Sequence, residues 1–167
     1  MGLFDMFKGD SQEMTPHFAF AVSLIYMISA DGKIENEEVG QLLAVLGGQE
    51  SGGTIGVGAN NKQLLDRAVK YVQKNSPDAF LAEAAPLLTD AQKMCILTNI
   101  LDSSLADGEA APVEQVLFNK FLQKFDIAES RFEPFFQVLI LKNDRSVFTD
   151  KNHAKNQPGY TVELATK

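Results

Sequence analysis

Asp31, Glu38, Asp107 and Glu114 are the residues of this chain whose types and spacing could do chemistry. They lie in two short stretches, A30-D-G-K-I-E-N-E-E38 and A106-D-G-E-A-A-P-V-E114, and in each the glutamate follows the aspartate by seven residues. Carboxylate oxygens are hard donors. Four of them gathered together would suit calcium or magnesium, would accept manganese, and would suit zinc less well without His or Cys. Two unit charges about 5 Å apart at an effective dielectric near 20 repel by roughly 3 kcal/mol, so such a cluster would either raise its own pKa values or bind a cation. Read from its aspartate, the first stretch matches the back half of an EF-hand calcium loop, but the front half is missing. The first and third ligand positions hold Met27 and Ser29 in one copy, and Ser103 and Leu105 in the other. Methionine and leucine do not bind a hard cation, so neither loop is an ordinary EF-hand. Asp102, about one helical turn before Asp107, is either a further ligand or a surface acid.

The same acids also have a purely structural use. With Glu35 and Ala111 as N-caps, Glu38 and Glu114 occupy the third helical position, where a carboxylate accepts from the cap's own backbone N–H and complements the helix dipole by roughly 0.3–1 kcal/mol. Pro112 at the first helical position fits that register, and Ile34 against Val39 would form the hydrophobic staple. The caps themselves do not fit it. A capping box wants Ser or Thr where this chain has Glu35 and Ala111.

The elements that must position these residues are helical. Apolar residues recur three and four apart, and no stretch alternates as a strand would. The spacing predicts a first helix over about 15–30, broken at Asp31-Gly32, and a second to about Leu46, ended by Gly47-Gly48. A third covers 61–73, and a fourth starts at Ser76-Pro77-Asp78, with Ser as cap and Pro in the first turn. A fifth opens on the capping box Thr89–Gln92 and ends at Asp107-Gly108; a sixth covers 113–124 and a seventh 131–141. Shifting the first helix-break-helix unit by 76 residues lays Ala30-Asp31-Gly32 on Ala106-Asp107-Gly108 and Glu38 on Glu114. The apolar frame follows, with Ala21 on Leu97, Leu24 on Ile100, Ile25 on Leu101, Leu42 on Phe118, Val45 on Phe121 and Leu46 on Leu122. The expected fold is therefore all-α, a compact bundle of about seven helices with an internal pseudo-two-fold repeat of helical hairpins.

The duplicated A-D-G, five residues, E pattern in an acidic helical chain of this size resembles the tellurite-resistance B (TerB) family, over about Phe18 to Leu141. The resemblance implies a divalent-cation site at the turns, with Asp31, Glu38, Asp107 and Glu114 as the ligands carried over by position. It also implies a cytoplasmic role as sensor or adaptor in metal or chemical stress, alongside other stress-response proteins, some of them membrane-associated. The second copy departs from the family pattern at Ala110 and Ala111, and the glycine-rich insertion and polar tail look peculiar to this chain. A related domain precedes the J-domain in membrane-anchored co-chaperones. It supplies the alternative, a metal-independent interaction module whose acids are caps and whose grooves bind partners. A homodimer is compatible with either reading.

Composition narrows the field further. Net charge is −7 with a pI near 4.8, which disfavours a nucleic-acid backbone as partner and favours cations or basic protein surfaces. The acids cluster: no basic residue falls between Lys93 and Lys120. The lone Cys95 excludes an internal disulfide and, within the apolar helical run M94-C-I-L-T-N-I-L101, is expected as a small core side chain. The run 18–28 is too short to span a bilayer, and no secretory signal is recognisable. Three regions result: a short amphipathic segment over 1–14, a helical domain over 15–142 with a glycine-rich loop at 47–60, and a polar tail over 143–167 with a turn at Pro158-Gly159. The glycine-rich loop fails as a phosphate cradle, because Thr54 stands where a P-loop lysine would be and no strand precedes Gly56-Val57-Gly58. Paired acids could do general acid–base work. With no histidine beside them and no convincing nucleophile, the expectation is a protein that is not an enzyme.

Overall fold

The computed structural model describes residues 13–32, 42, 61–106 and 110–165. The amphipathic segment before Glu13, most of the expected second helix, the glycine-rich loop, and both Glu38 and Asp107 lie outside the described residues.

The first helix, α1 (Pro16–Ile28), contains no Asp, Glu, Lys or Arg. An apolar helix of this kind is stable only when covered on every side. It is so covered, since every residue from Phe18 to Met27 is buried. Thr15 caps it by accepting from the Phe18 N–H at 3.2 Å, and Pro16 stands at the start where its missing N–H costs nothing. Ser23, fully buried, donates its hydroxyl to the Ala19 carbonyl at 2.7 Å, so no polar atom is stranded there.

Among the described residues five further helices of two turns or more follow: α2 (Asn61–Lys74), α3 (Pro77–Ala84), α4 (Asp90–Leu105), α5 (Pro112–Lys124) and α6 (Glu129–Asn143). Helix α1 packs on α2 and α4, and α4 packs on α5 and α6. Leu42 is also helical and is buried in the same core. A run of ring contacts crosses that core, from Phe18 to Tyr71 at 5.6 Å, Tyr71 to Phe80 at 6.1 Å, Phe80 to Phe121 at 6.2 Å and Phe121 to Phe125 at 5.6 Å. Ion pairs tie the outer faces: Lys120 on α5 to Asp78 on α3 at 2.8 Å, and Arg131 on α6 to Asp90 on α4 through two bonds of 2.6 and 2.5 Å. No helix among the described residues is long and apolar enough to cross a membrane.

Two particulars correct the sequence reading, and a third fills in a tail whose conformation it left open beyond the turn at Pro158-Gly159. Cys95 is exposed, because α4 buries Ile96, Leu97, Ile100, Leu101, Ser104 and Leu105, a face that passes position 95 by. The seventh expected helix begins at Glu129, two residues early, on an Ala128 cap that offers no side-chain acceptor. The tail is also structured. It forms a one-turn helix α7 (Ser146–Thr149), a 3-10 turn at Ala154–Asn156, and a turn at Pro158-Gly159 closed by the Tyr160 N–H on the Gln157 carbonyl at 3.1 Å.

Candidate functional site

Each acidic turn is described in part. After α1 the chain bends at Ser29, and the Gly32 N–H donates to the Ser29 carbonyl at 2.9 Å. Gly32 has φ +87°, with nothing within 4 Å of where a Cβ would stand. Glycine is used there for its left-handed backbone and not for space. Asp31, beside it, is exposed.

In the second turn Glu114 takes the cap register expected for it. Ala111 is the N-cap, Pro112 opens α5, and Glu114 Oε2 accepts from the Ala111 N–H at 2.7 Å. This is half a capping box, since alanine has no hydroxyl to return the bond. Of the four carboxylates singled out, the structure thus describes Asp31 and Glu114. Among the described residues no three His, Cys, Asp or Glu side chains gather as a metal would require. Asp102 is a paired surface acid. Both its oxygens accept from Lys142 Nζ at 2.7 Å, and Asn143 Nδ2 donates to Oδ1 at 2.8 Å. Partial burial pushes its carboxyl up, and those bonds outweigh the burial and leave it below the ordinary carboxylate value.

Glu114 also belongs to a second feature that sequence reasoning missed. A groove of about 560 Å³ opens between the C-terminal half of α4, the helix α5 and the helix α6. Leu101, Leu105, Phe118, Leu122, Phe132 and Ile140 make its apolar lining, with Phe136 at its edge, 38% exposed. Phe118 and Phe132 meet across it at 5.3 Å between ring centroids. Ser104 lies beneath, its hydroxyl already donated to the Ile100 carbonyl at 3.0 Å. Among the described residues, the carboxylates Glu114, Glu129 and Glu133 line it together with Gln115 and Asn119, and no Lys or Arg does. The nearest signal in the sequence points to exposed residues of α6 outside the groove lining, not to the groove itself. The stretch F132-E-P-F-F-Q-V-L-I-L141 carries more apolar residues than one buried helical face can use, and Phe135, Val138 and Leu141 are indeed exposed.

Compared with known proteins, the chain matches no family model, no curated protein and no solved structure. Its function is therefore argued from this geometry.

Proposed function

We propose that this chain is a non-enzymatic, metal-independent protein-interaction module, resembling the TerB-like domains found before J-domains, which binds partners in the groove between α4, α5 and α6. The observation that carries the reading is the groove itself. It has an apolar floor with satisfied polar atoms and a polar rim, the usual composition of a recognition site. Among the described residues its lining holds no His, Cys, Lys or Tyr to act as base or nucleophile. The bond from Ala111 to Glu114 gives that acid a capping use that needs no ion.

A second reading keeps the divalent cation, calcium or magnesium, held by Asp31, Glu38, Asp107 and Glu114 in a stress-response sensor or adaptor. The duplicated interval between acid, glycine and acid favours it. Seven helices in two pseudo-symmetric hairpins and a cytoplasmic location belong to both readings. The packing of α1 on α4, the two helices that the repeat lays on each other, supports the symmetry.

Thermal melting in EDTA, calcium, magnesium and manganese separates the two readings. The module reading predicts one melting temperature in all four. Saturable stabilisation by one ion, abolished in the Asp31→Asn, Asp107→Asn double variant, overturns it in favour of the cation.

A further inference from the structure

We propose that the groove receives an amphipathic helix of a partner protein whose apolar face is flanked by lysine or arginine, an inference that rests on the interaction-module reading. Its floor takes side chains of the kind a helix presents at positions i, i+3, i+4 and i+7. Its rim selects the flanks. Glu129 and Glu133 lie one turn apart on α6, and Glu114 stands on α5. Among the described residues, Glu133 is bonded to a neutral neighbour, accepting from Gln137 Nε2 at 3.4 Å.

Three cations of the same helices are engaged elsewhere. Arg131 is held by Asp90, Lys142 by Asp102 and Lys120 by Asp78. Around its apolar floor the groove therefore carries Glu129 and Glu133, with no Lys or Arg among the described lining residues. The chain's charge of −7 would steer a basic helix toward it and disfavour an acidic one. A second copy of this chain brings the same −7 and the same acidic rim, so charge argues against it. The chain's own C-terminal run is not seated there: Tyr160, Val162 and Leu164 remain 49%, 57% and 49% exposed.

Two fluorescently labelled peptides test this on the full chain. They share one helical apolar face of Leu and Phe and differ only in flanks, lysine in one and glutamate in the other. Fluorescence anisotropy should show saturable binding of the lysine-flanked peptide, weakening as salt is raised. Its Kd should rise at least about tenfold in the Glu129→Lys, Glu133→Lys chain, and binding should vanish in Phe136→Glu. These positions are exposed, and unchanged melting would show that the variants fold. Equal binding of both peptides, binding indifferent to Phe136→Glu, or binding of neither overturns the proposal. A glutamate-flanked peptide preferred in the groove removes the basic partner and leaves the module reading standing. Ion-dependent melting with no peptide bound removes both. Sedimentation as a dimer that Phe136→Glu dissolves would assign the groove to a second copy. Binding seen only after deletion of residues 160–167 would assign it to the chain's own tail.

Discussion

Glu114 is where the competing readings meet on a single side chain. Its carboxylate accepts from the Ala111 N–H at 2.7 Å, so Glu114→Ala should cost about 0.5–1 kcal/mol of stability. Glu114→Gln, which keeps the acceptor, should cost less. Denaturant unfolding in EDTA and again in calcium checks this, and the module reading predicts the same loss in both. Asp126 carries a different demand. It closes α5 in the left-handed region, φ 56°, with the Ile127 N–H on the Leu122 carbonyl at 3.0 Å and its own N–H on the Gln123 carbonyl at 3.1 Å. Glycine adopts that backbone without the Cβ penalty, so Asp126→Gly should raise stability by about 0.5–1 kcal/mol, read as a higher melting temperature. Residues of this scale were partly legible. Pro112 and Glu114 announced the cap register, because both are local backbone chemistry. The exposure of Cys95 was not announced, because it depends on which face of α4 meets α1, α5 and α6.

Among the elements, helix starts were the most readable feature, for a reason the caps make plain. Thr15, Ser76 and Thr89 each accept from an N–H three residues on, and each start was placed correctly. Helix α6 begins on Ala128, which has no acceptor, and its start was placed late. The tail was illegible, since its order depends on side chains that meet only when folded. Asp144 accepts from Lys155 Nζ at 2.6 Å and from the Ser146 hydroxyl, with His153 Nε2 at 3.5 Å. The Lys155 bond first, and the Ser146 bond after it, hold the Asp144 carboxyl below its ordinary value. A carboxyl lowered on folding stabilises fully above its unfolded pKa of about 3.9 and loses that contribution as pH falls through the folded value. The tail should therefore loosen in acid below about pH 4. Asp144→Asn should loosen it at neutral pH, with amide exchange at Lys155, Asn156 and Tyr160 faster by about tenfold or more while α4 keeps its protection.

The whole molecule depends on how α1 is enclosed and on what α4, α5 and α6 leave open. Phe80, fully buried, touches Tyr26 at 5.5 Å as well as Tyr71 and Phe121. Phe80→Ala should cost about 3–5 kcal/mol, a large share of the roughly 5–15 kcal/mol that holds a domain together, and denaturant unfolding would show it. An all-helical bundle was legible because apolar periodicity reports each helix's buried face. The groove was not, because it forms where three helices fail to close over Phe132 and Ile140, and no single helix records that gap. The most direct measurement is a methyl spectrum of the isotopically labelled chain, titrated first with the lysine-flanked peptide and then with calcium. Saturable shifts are expected at Leu101, Leu105, Leu122 and Ile140 with the peptide and none with the ion. Still groove methyls with the peptide, and saturable calcium shifts at Ile28 and Ala110 beside the acidic turns, would contradict that expectation.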